Sequence, residues 1–161
     1  GIEPIIKNDK GMNILHCACK SKNLDLVKYL LKDIYIKDKK YNINISDTSN
    51  DDANVLHYAS CSKKPYIFKF LYSKYSESLN INAETKTNKM TVLHFACENR
   101  NIELVEYILT IDNFKTKIKA RNINNDTALD IAREKKFDDI VSILQQNTSI
   151  WESMKQYFRF F

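Results

Sequence analysis

Few residues of this chain could carry out acid–base, nucleophilic or metal chemistry, because it contains only three histidines and four cysteines. His16, His57 and His94 each follow a leucine and stand at the same place in a repeated pattern. A zinc site or a general base needs such side chains to converge on one point. Equivalent positions of stacked helices instead lie about 10 Å apart. We therefore interpret the histidines as structural residues rather than as metal ligands or catalytic bases.

The cysteine and glycine patterns exclude other kinds of site. The cysteines show no CxxC spacing of paired zinc ligands; they are Cys17, Cys19, Cys61 and Cys97. Gly1 and Gly11 are the two glycines, too few for a phosphate-binding loop, and neither Gly-x-Ser-x-Gly nor His-Glu-x-x-His is present. The sequence thus predicts no enzyme, no catalytic residue, no metal, no cofactor and no small-molecule substrate.

An internal repeat shows which elements position these residues. Four segments open with Asn or Thr and carry leucine and then His or Asp: Asn13–His16, Asn54–His57, Thr91–His94 and Thr127–Asp130. Alanine stands two residues after each His or Asp, at Ala18, Ala59, Ala96 and Ala132. A second apolar cluster follows, within Leu26–Leu31, Ile67–Tyr72, Leu104–Leu109 and Ile140–Leu144. Self-similarity of this kind is typical of repeat proteins.

Each unit is predicted to be a helical hairpin. Apolar residues at i, i+1, i+4 and i+5 form one stripe along a helix, so the second cluster is an amphipathic helix. The segment around Leu-His-x-Ala forms a shorter first helix, capped by the side-chain oxygen of its opening Asn or Thr. A single hairpin cannot bury its apolar face, whereas stacked hairpins share one elongated core. The sequence therefore predicts an all-α stack of four helix-turn-helix units.

The pattern resembles the ankyrin-repeat family, whose Thr-Pro-Leu-His-x-Ala motif recurs about every 33 residues. The family's proline is replaced here by Ile14, Val55, Val92 and Ala128. Successive motif leucines are 41, 37 and 36 residues apart, so the connections are longer than is usual in the family. The resemblance implies an all-α ankyrin-repeat solenoid with finger loops, in which each histidine bonds to the backbone of neighbouring turns.

The implied ankyrin-repeat domain is residues 1–146. Its repeats are expected at about 8–45, 46–82, 83–119 and 120–146, with the last fragment of an upstream repeat before them. Residues 147–161 form an aromatic tail, in which Ser149 and Glu152 have the spacing of a capping box. We predict that the chain reverses at 147–148 and that the tail is a C-terminal capping helix covering the fourth repeat. Docking to a partner, a membrane surface or a further domain is the alternative.

Two kinds of turn are expected to need positive φ. Residues 8–12 are similar to the family's Asp-x-x-Gly-x finger, where Gly11 supplies this conformation, and Asn125 takes the glycine position of the fourth finger. At the turn inside each hairpin, where the family carries glycine, the chain has Lys22, Lys63, Arg100 and Lys136. A left-handed conformation there costs about 1 kcal/mol at each residue. These cations form either a solvated edge or a strip that attracts acidic partners or phosphates.

The resemblance also assigns the cysteines. Cys19 and Cys97 take small core positions, and Cys17 occupies the packing position filled elsewhere by Tyr58, Phe95 and Ile131. Cys61 is expected to be partly exposed, with an inert and a reactive thiol both open. The acidic segment 46–52 lacks the glycine and terminal glutamate of a calcium-binding loop, so it is predicted to be a mobile loop.

The function implied by the resemblance is protein–protein interaction through a groove formed by the first helices and the fingers. The partner-binding positions map onto Met12, Lys20, Ser21, Ala53, Cys61, Ser62, Met90, Glu98, Asn99, Ile123, Asp126, Glu134 and Lys135. The partner is another protein of unknown identity, and paired methionines would give an adaptable apolar contact. The alternative is a regulatory or substrate-recruiting segment of a larger enzyme or membrane protein.

Composition limits the other partners and the location. The net charge of +5 is modest and not gathered into one segment, which does not favour nucleic acid. No apolar run reaches the roughly 20 residues of a membrane helix, so membrane contact is expected only indirectly or through a missing domain. The first residues lack a signal-peptide pattern, and unpaired cysteines suit a reducing compartment, so we expect a cytoplasmic or nuclear protein. The excess of Lys, Asn and Ile is typical of AT-rich genomes, such as those of protozoan parasites, poxviruses or intracellular bacteria.

Overall fold

The computed structural model describes the backbone of residues 7–36, 44–111 and 117–158, and their side chains except those of 33–36, 151 and 154–158. Over these ranges the chain forms eight α-helices in four consecutive hairpins, one short 3-10 turn and no strand. The helices are α1 (Ile14–Lys20), α2 (Leu24–Ile36), α3 (Val55–Ser60), α4 (Tyr66–Tyr75), α5 (Val92–Glu98), α6 (Ile102–Thr110), α7 (Ala128–Glu134) and α8 (Asp138–Phe158). The all-α stack predicted from the repeat is confirmed.

Each first helix begins after the polar residue that the repeat marks as its cap. The caps have extended backbones and are Asn13, Asn54, Thr91 and Thr127. The side chain of each cap is paired with the backbone N–H of the third helical residue, and the side chain of that residue is paired with the cap's own N–H. This reciprocal capping box satisfies two donors that a helix otherwise leaves unpaired. It explains why His or Asp recurs at that position.

One hydrophobic core runs through the stack. The first helices contact one another in the order α1, α3, α5 and α7, while α2 contacts α4 and α6 contacts α8. The motif leucines Leu15, Leu56 and Leu93 are at most 1% exposed. Burying a leucine side chain contributes about 1.5–3 kcal/mol, so these repeated positions account for much of the stability of the stack.

A side chain at the start of α6 also joins two units. Asn101 is 1% exposed. Its Oδ1 accepts the backbone N–H of Leu104 at 3.0 Å, and its Nδ2 donates to the carbonyl oxygen of Ser62 at 2.7 Å. The same amide therefore caps its own helix and ties it to the preceding hairpin.

The turns inside the hairpins follow the prediction at three of four positions. Lys22, Arg100 and Lys136 have φ values of 64°, 51° and 57°. The expectation of a left-handed Lys63 is wrong, because that residue is not among those with positive φ. The connection between α3 and α4 spans residues 61–65, whereas the other three span 21–23, 99–101 and 135–137. The two extra residues complete the turn without positive φ.

Four finger turns precede the first helices, at 8–12, 49–53, 85–90 and 122–126. In each finger the first residue's N–H donates to the last residue's carbonyl oxygen, at 2.9–3.0 Å. Each finger also contains one residue of positive φ: Gly11 at 70°, Asp52 at 56°, Lys89 at 53° and Asn125 at 69°. The conformations predicted for the glycine and the asparagine are confirmed.

Neighbouring fingers are joined backbone to backbone. The N–H of Asn50 donates to the carbonyl oxygen of Lys10 at 3.0 Å, that of Lys86 to Asp51 at 2.8 Å, and that of Ile123 to Asn88 at 2.9 Å. The prediction of a mobile loop at 46–52 is therefore wrong, because most of that segment builds the second finger. The sequence hides this because Asp52, rather than glycine, takes the positive-φ position.

Gly11 is required for a second reason besides its backbone conformation. A Cβ atom built on it would lie 2.1 Å from the Oδ1 atom of Asn50 and 2.7 Å from the backbone nitrogen of that residue. Real side chains do not approach this closely, so any other residue would push the first two fingers apart.

The C-terminal tail continues the last helix. Asn147 and Thr148 lie inside α8, with their side chains donating to the carbonyl oxygens of Ile143 and Leu144. The predicted reversal at these residues is therefore wrong, and 147–158 is not a separate helix. The Trp151, Met154, Tyr157 and Phe158 side chains lie outside the described ones.

Candidate protein-binding surface

Three histidines join the first three hairpins to the finger of the next hairpin or to the segment that leads into it. In each case Nδ1 accepts the backbone N–H of the cap residue at 3.1–3.2 Å. The opposite ring nitrogen, Nε2, faces a backbone carbonyl oxygen: His16 meets Asp47 at 3.0 Å, His57 meets Ala83 at 3.1 Å and His94 meets Asp126 at 3.2 Å. These partners require the proton on Nε2, so the ring is neutral and donates to the carbonyl. The structural interpretation of the histidines is confirmed.

Burial lowers the pKa of all three histidines and is the largest effect in each case. It outweighs the hydrogen bond to a backbone carbonyl, which raises the pKa. Protonation would add a hydrogen to Nδ1, where it would oppose the N–H of the cap. The histidines therefore act as neutral connectors that hold the surface in place.

Asp130 takes the histidine position in the fourth hairpin. Its Oδ2 accepts from both the backbone N–H and the hydroxyl of Thr127, at 3.0 Å and 2.7 Å. The hydroxyl of Thr127 is the largest cause that lowers the pKa of this carboxyl. The capping role of the position is thus kept by a carboxylate.

The four cysteines are free of disulfides in the described structure, and their surroundings differ. Cys19 and Cys97 are buried as predicted, and burial raises the pKa of each thiol to about 12. Cys61 is partly exposed as predicted; burial raises its thiol pKa, and its Sγ donates to the carbonyl oxygen of His57 at 3.4 Å. A protonated thiol is a poor nucleophile, which favours the inert interpretation of this residue.

The packing position predicted for Cys17 is wrong, because that side chain is exposed. The equivalent Tyr58 packs edge-on against the ring of His16 in the preceding hairpin, with ring centroids 5.2 Å apart. The part of the chain that the structure describes contains no hairpin ahead of α1 to serve Cys17 in this way.

The first helices and the fingers form one side of the stack, and we call their exposed residues the groove surface. It includes, among the predicted contact residues, Lys20, Ser21, Glu98, Ile123, Glu134 and Lys135, which are exposed, and Cys61, Asn99 and Asp126, which are half-buried. Partner binding by these residues stays a prediction.

Four predicted contact residues are corrected. Met12, Ala53, Ser62 and Met90 are only 5–7% exposed. Met90 belongs to the hydrophobic core, and its sulfur lies 4.0 Å from Nδ2 of Asn122 in the next finger. In the first three fingers the residue before the cap faces inward, directly after the positive-φ residue at which the chain turns. Contact of the two methionines with a partner is therefore wrong.

Two aromatic residues that the sequence analysis assigned to packing do pack against the hydrophobic core, but they also keep part of their surface exposed on the groove side. Tyr58 and Phe95 are half-buried, at equivalent positions of the adjacent helices α3 and α5. Phe95 packs edge-on against His57, with centroids 5.8 Å apart. Each ring is thus supported by the connector histidine of the preceding hairpin. Each aromatic residue stands one position after the histidine of its own hairpin, and this spacing was the signal that could have identified the pair.

The cations at and beside the turns inside the hairpins are partly neutralised by carboxylates. Arg100 pairs with Asp139 at 3.1 Å and lies over the ring of Phe137, 5.2 Å from its centroid. Lys64, next to Lys63, pairs with Glu103 at 3.2 Å. Such exposed pairs contribute about 0–1 kcal/mol. These carboxylates favour a solvated edge over a strip for phosphates.

The opposite side of the stack, made by the second helices, carries its own exposed apolar residues. Leu26, Tyr29 and Tyr66 are 38%, 64% and 57% exposed. Lys28 and Lys74 lie over the ring of Phe70, 5.7 Å and 5.6 Å from its centroid. This outer face provides matched control positions for the groove surface.

Two other kinds of site are not found in the described ranges. Those residues contain no cluster of three or more His, Cys, Asp or Glu side chains able to hold a metal ion. None of their helices combines the length and apolar character needed to cross a membrane.

A family model described as "Ankyrin repeats (3 copies)" matches residues 1–85 and 56–153. Together with the four capped hairpins and their fingers, this shows that the chain belongs to the ankyrin-repeat family. Ankyrin repeats are generally protein–protein interaction modules.

Two curated relatives are spider proteins. Alpha-latrotoxin-Lg1a of Latrodectus geometricus is 33% identical over 94 residues, which cover 58% of this chain and 7% of the toxin. Alpha-latrotoxin-Lhe1a of Latrodectus hesperus is 30% identical over 79 residues, 49% of this chain and 5% of the toxin. The similarity therefore extends over a small part of each much longer relative.

Proposed function

We propose that this chain binds a segment of another protein at the groove surface, and that it acts by recognition rather than by catalysis. The observation that carries the proposal is the pair Tyr58 and Phe95, half-buried at equivalent positions of the neighbouring helices α3 and α5. Aromatic residues that keep part of their surface exposed on a rigid support are typical centres of protein interfaces. The histidine contacts supply that support, since each ring is already held edge-on.

The surroundings of this pair suit an interface. Lys20 and Glu98 are exposed on the same helical faces, and Ile123 is 61% exposed at the tip of the fourth finger. An apolar centre with a polar rim is the common arrangement of non-obligate interfaces. The thiols of Cys19 and Cys97, buried and reduced, are consistent with our proposal of a cytoplasmic or nuclear location.

Two double variants test the proposal. In the native cell, partners are identified by cross-linking to lysines and mass spectrometry, and binding is then measured with purified protein. Tyr58→Ser with Phe95→Ser should weaken binding about 30-fold or more, since an aromatic hot spot is worth about 2 kcal/mol. Tyr29→Ser with Tyr66→Ser removes two aromatic rings from the outer face and should leave binding unchanged.

The opposite pattern would reject the groove surface as the binding site. Circular dichroism of both double variants controls for unfolding. Binding whose affinity falls steeply with salt, and which persists with RNA or DNA in place of the protein, would instead support nucleic-acid recognition.

A second candidate function is that the chain recruits substrates for, or regulates, a larger enzyme or membrane protein. It is favoured by the small share of the relatives' length, 7% and 5%, that the similarity covers. The full reading frame tests it directly: an adjoining catalytic or membrane-spanning domain would support it, and a frame that contains repeats alone would reject it.

A further inference from the structure

Side chains of the groove surface fall into two rows, because the first helices are stacked in register. The row through the aromatic pair contains Cys17, Tyr58 and Phe95, and the equivalent Ile131 is buried, with 6% of its surface exposed. Three residues further along each helix, a second row contains Lys20, Cys61, Glu98 and Glu134. Residues separated by three positions share a helix face, so the two rows run side by side along the stack.

The second row changes sign along its length. Lys20 and Glu98 are exposed, and neither forms an ion pair within the part of the chain that the structure describes. Cys61 lies between them: after burial, Glu98 is the next largest cause that raises the pKa of its thiol, and Lys20 is a cause that lowers it. A positive and a negative group therefore face the same central residue from opposite sides.

Neighbouring charges leave this polarity in place. Arg100, the cation closest in sequence to Glu98, is already paired with Asp139 at 3.1 Å. Glu134 adjoins Lys135 and contributes less to the acidic end for that reason. Lys20 and Glu98 therefore determine the charge polarity of the second row. The half-buried rings of Tyr58 and Phe95 lie in the neighbouring row, next to the stretch between these two charges.

We infer that the groove surface takes an extended peptide segment with an acidic residue at the Lys20 end, an apolar or aromatic residue over Tyr58 and Phe95, and a basic residue at the Glu98 end. This inference rests on the proposed function and specifies its partner. Stacked helices lie about 8–10 Å apart, so the two charges, two hairpins apart, are separated by about 16–20 Å. An extended chain advances about 3.3 Å per residue, so the two charged residues of the peptide are about five or six positions apart in its sequence.

Electrostatic complementarity favours this occupant over an anion such as nucleic acid or a lipid headgroup. A phosphate chain following the second row would pass Lys20 and then meet the exposed carboxylate of Glu98. Opposite charges at the two ends instead fix the direction in which a peptide lies, which is the usual contribution of charge at interfaces.

The test is a selection of phage-displayed random peptides of about twelve residues, long enough for the predicted span. The baits are the natural chain, the charge-swapped variant Lys20→Glu with Glu98→Lys, and the aromatic control Tyr58→Ser with Phe95→Ser. The natural chain should enrich peptides with opposite charges on either side of an apolar residue, at the spacing given above. The charge-swapped variant should enrich the same pattern with the order of charges inverted. Affinities for the matched peptide should differ about tenfold or more between these two baits.

Each result decides between the inference and the proposed function. Enrichment that needs the aromatic pair but ignores the charge swap would overturn the inference and leave the proposed function standing. Peptides rich in basic or acidic residues alone would also overturn the inference. No enrichment over the aromatic control with either bait would count against both.

Discussion

The Nε2 atom of His57 lies 3.1 Å from the carbonyl oxygen of Ala83, in the chain segment that leads to the third finger. On the other side of the ring, Nδ1 accepts the N–H of Asn54 at 3.2 Å. One buried imidazole thus joins the start of its own helix to the next repeat. Because the ring can serve both partners only when neutral, cohesion between repeats is linked to its protonation.

We predict that the domain loses stability as the pH falls below about 6.5, the ordinary pKa of histidine. Burial lowers the pKa of His16, His57 and His94 in the folded chain. The unfolded chain then binds more protons than the folded one, so the stabilisation is complete above pH 6.5 and is lost below it. The measurement is the urea midpoint at pH 7 and pH 5.

Carboxylates do not produce this fall. The pKa values of Asp130 and Asp139 are lowered, by hydrogen bonding to the Thr127 side chain and to the Ile140 N–H respectively. Their stabilisation is therefore present above their ordinary pKa near 3.9 and is lost only in stronger acid. A His57→Gln variant should be less stable at pH 7 and show a smaller difference between the two pH values. An unchanged difference would mean that other groups cause the fall.

The motif leucines should be among the most sensitive positions of the chain. Leu56 and Leu93 are 0% and 1% exposed, with a hairpin on either side. Replacing either with alanine should cost about 2–5 kcal/mol of unfolding free energy, through lost burial and the cavity left behind. Leu26→Ala, at a side chain that is 38% exposed, is the control and should cost markedly less. Equal costs in urea denaturation would contradict the assignment of the core.

Glycine substitutions distinguish the left-handed turn from the longer one. Lys136 has a φ of 57°, which costs a residue with a Cβ about 1–2 kcal/mol. Lys136→Gly should therefore stabilise the chain by about 0.5–1 kcal/mol after the added freedom of the unfolded state is subtracted. Lys63→Gly is the matched control, since Lys63 has no positive φ to relieve, and it should be neutral or destabilising. Stabilisation of both variants by the same amount, measured by urea unfolding, would show that backbone strain is not the cause.

The sequence predicts the fold well wherever a position depends on its own hairpin. The spacing of Leu56, His57 and Ala59 requires a capped first helix, and the apolar stripe of α6 requires an amphipathic second one. Gly11 and Asn125 were likewise predicted to have positive φ, because only a few residue types tolerate that conformation. These signals are local and repeat in register.

The failed predictions depend on neighbouring repeats. The second finger was missed because Asp52 replaces glycine, and its conformation is sustained by backbone bonds to the fingers on both sides. Met90 faces the core because of the finger's bend, and Cys17 is exposed because the described part of the chain has no hairpin ahead of α1 to pack against it. Burial of this kind is set by stacking, which residue types alone do not encode.

The last prediction concerns the continuation of α8 past the stack. Among the residues removed by deleting 149–161, those with described side chains should contribute less than about 1 kcal/mol to the free energy of unfolding. Ile150 is 48% exposed, and Glu152 and Ser153 are exposed, so their removal uncovers little apolar surface. The deletion also removes the ion pair between Lys119 and Glu152, which are 54% and 50% exposed, and such pairs contribute about 0–1 kcal/mol.

A longer deletion is the control for the stacked part of the same helix. Removing residues 143–161 also takes away Leu144, which is 1% exposed in the core, and should cost several kcal/mol. Urea denaturation and light scattering of both truncated chains compare stability and aggregation. A loss above about 2 kcal/mol in the shorter deletion, with aggregation, would show that the aromatic side chains of the tail cover the fourth repeat as the sequence predicts. Retained stability with lost partner binding would instead make the tail a docking segment, because the loss would then fall on binding and not on the fold.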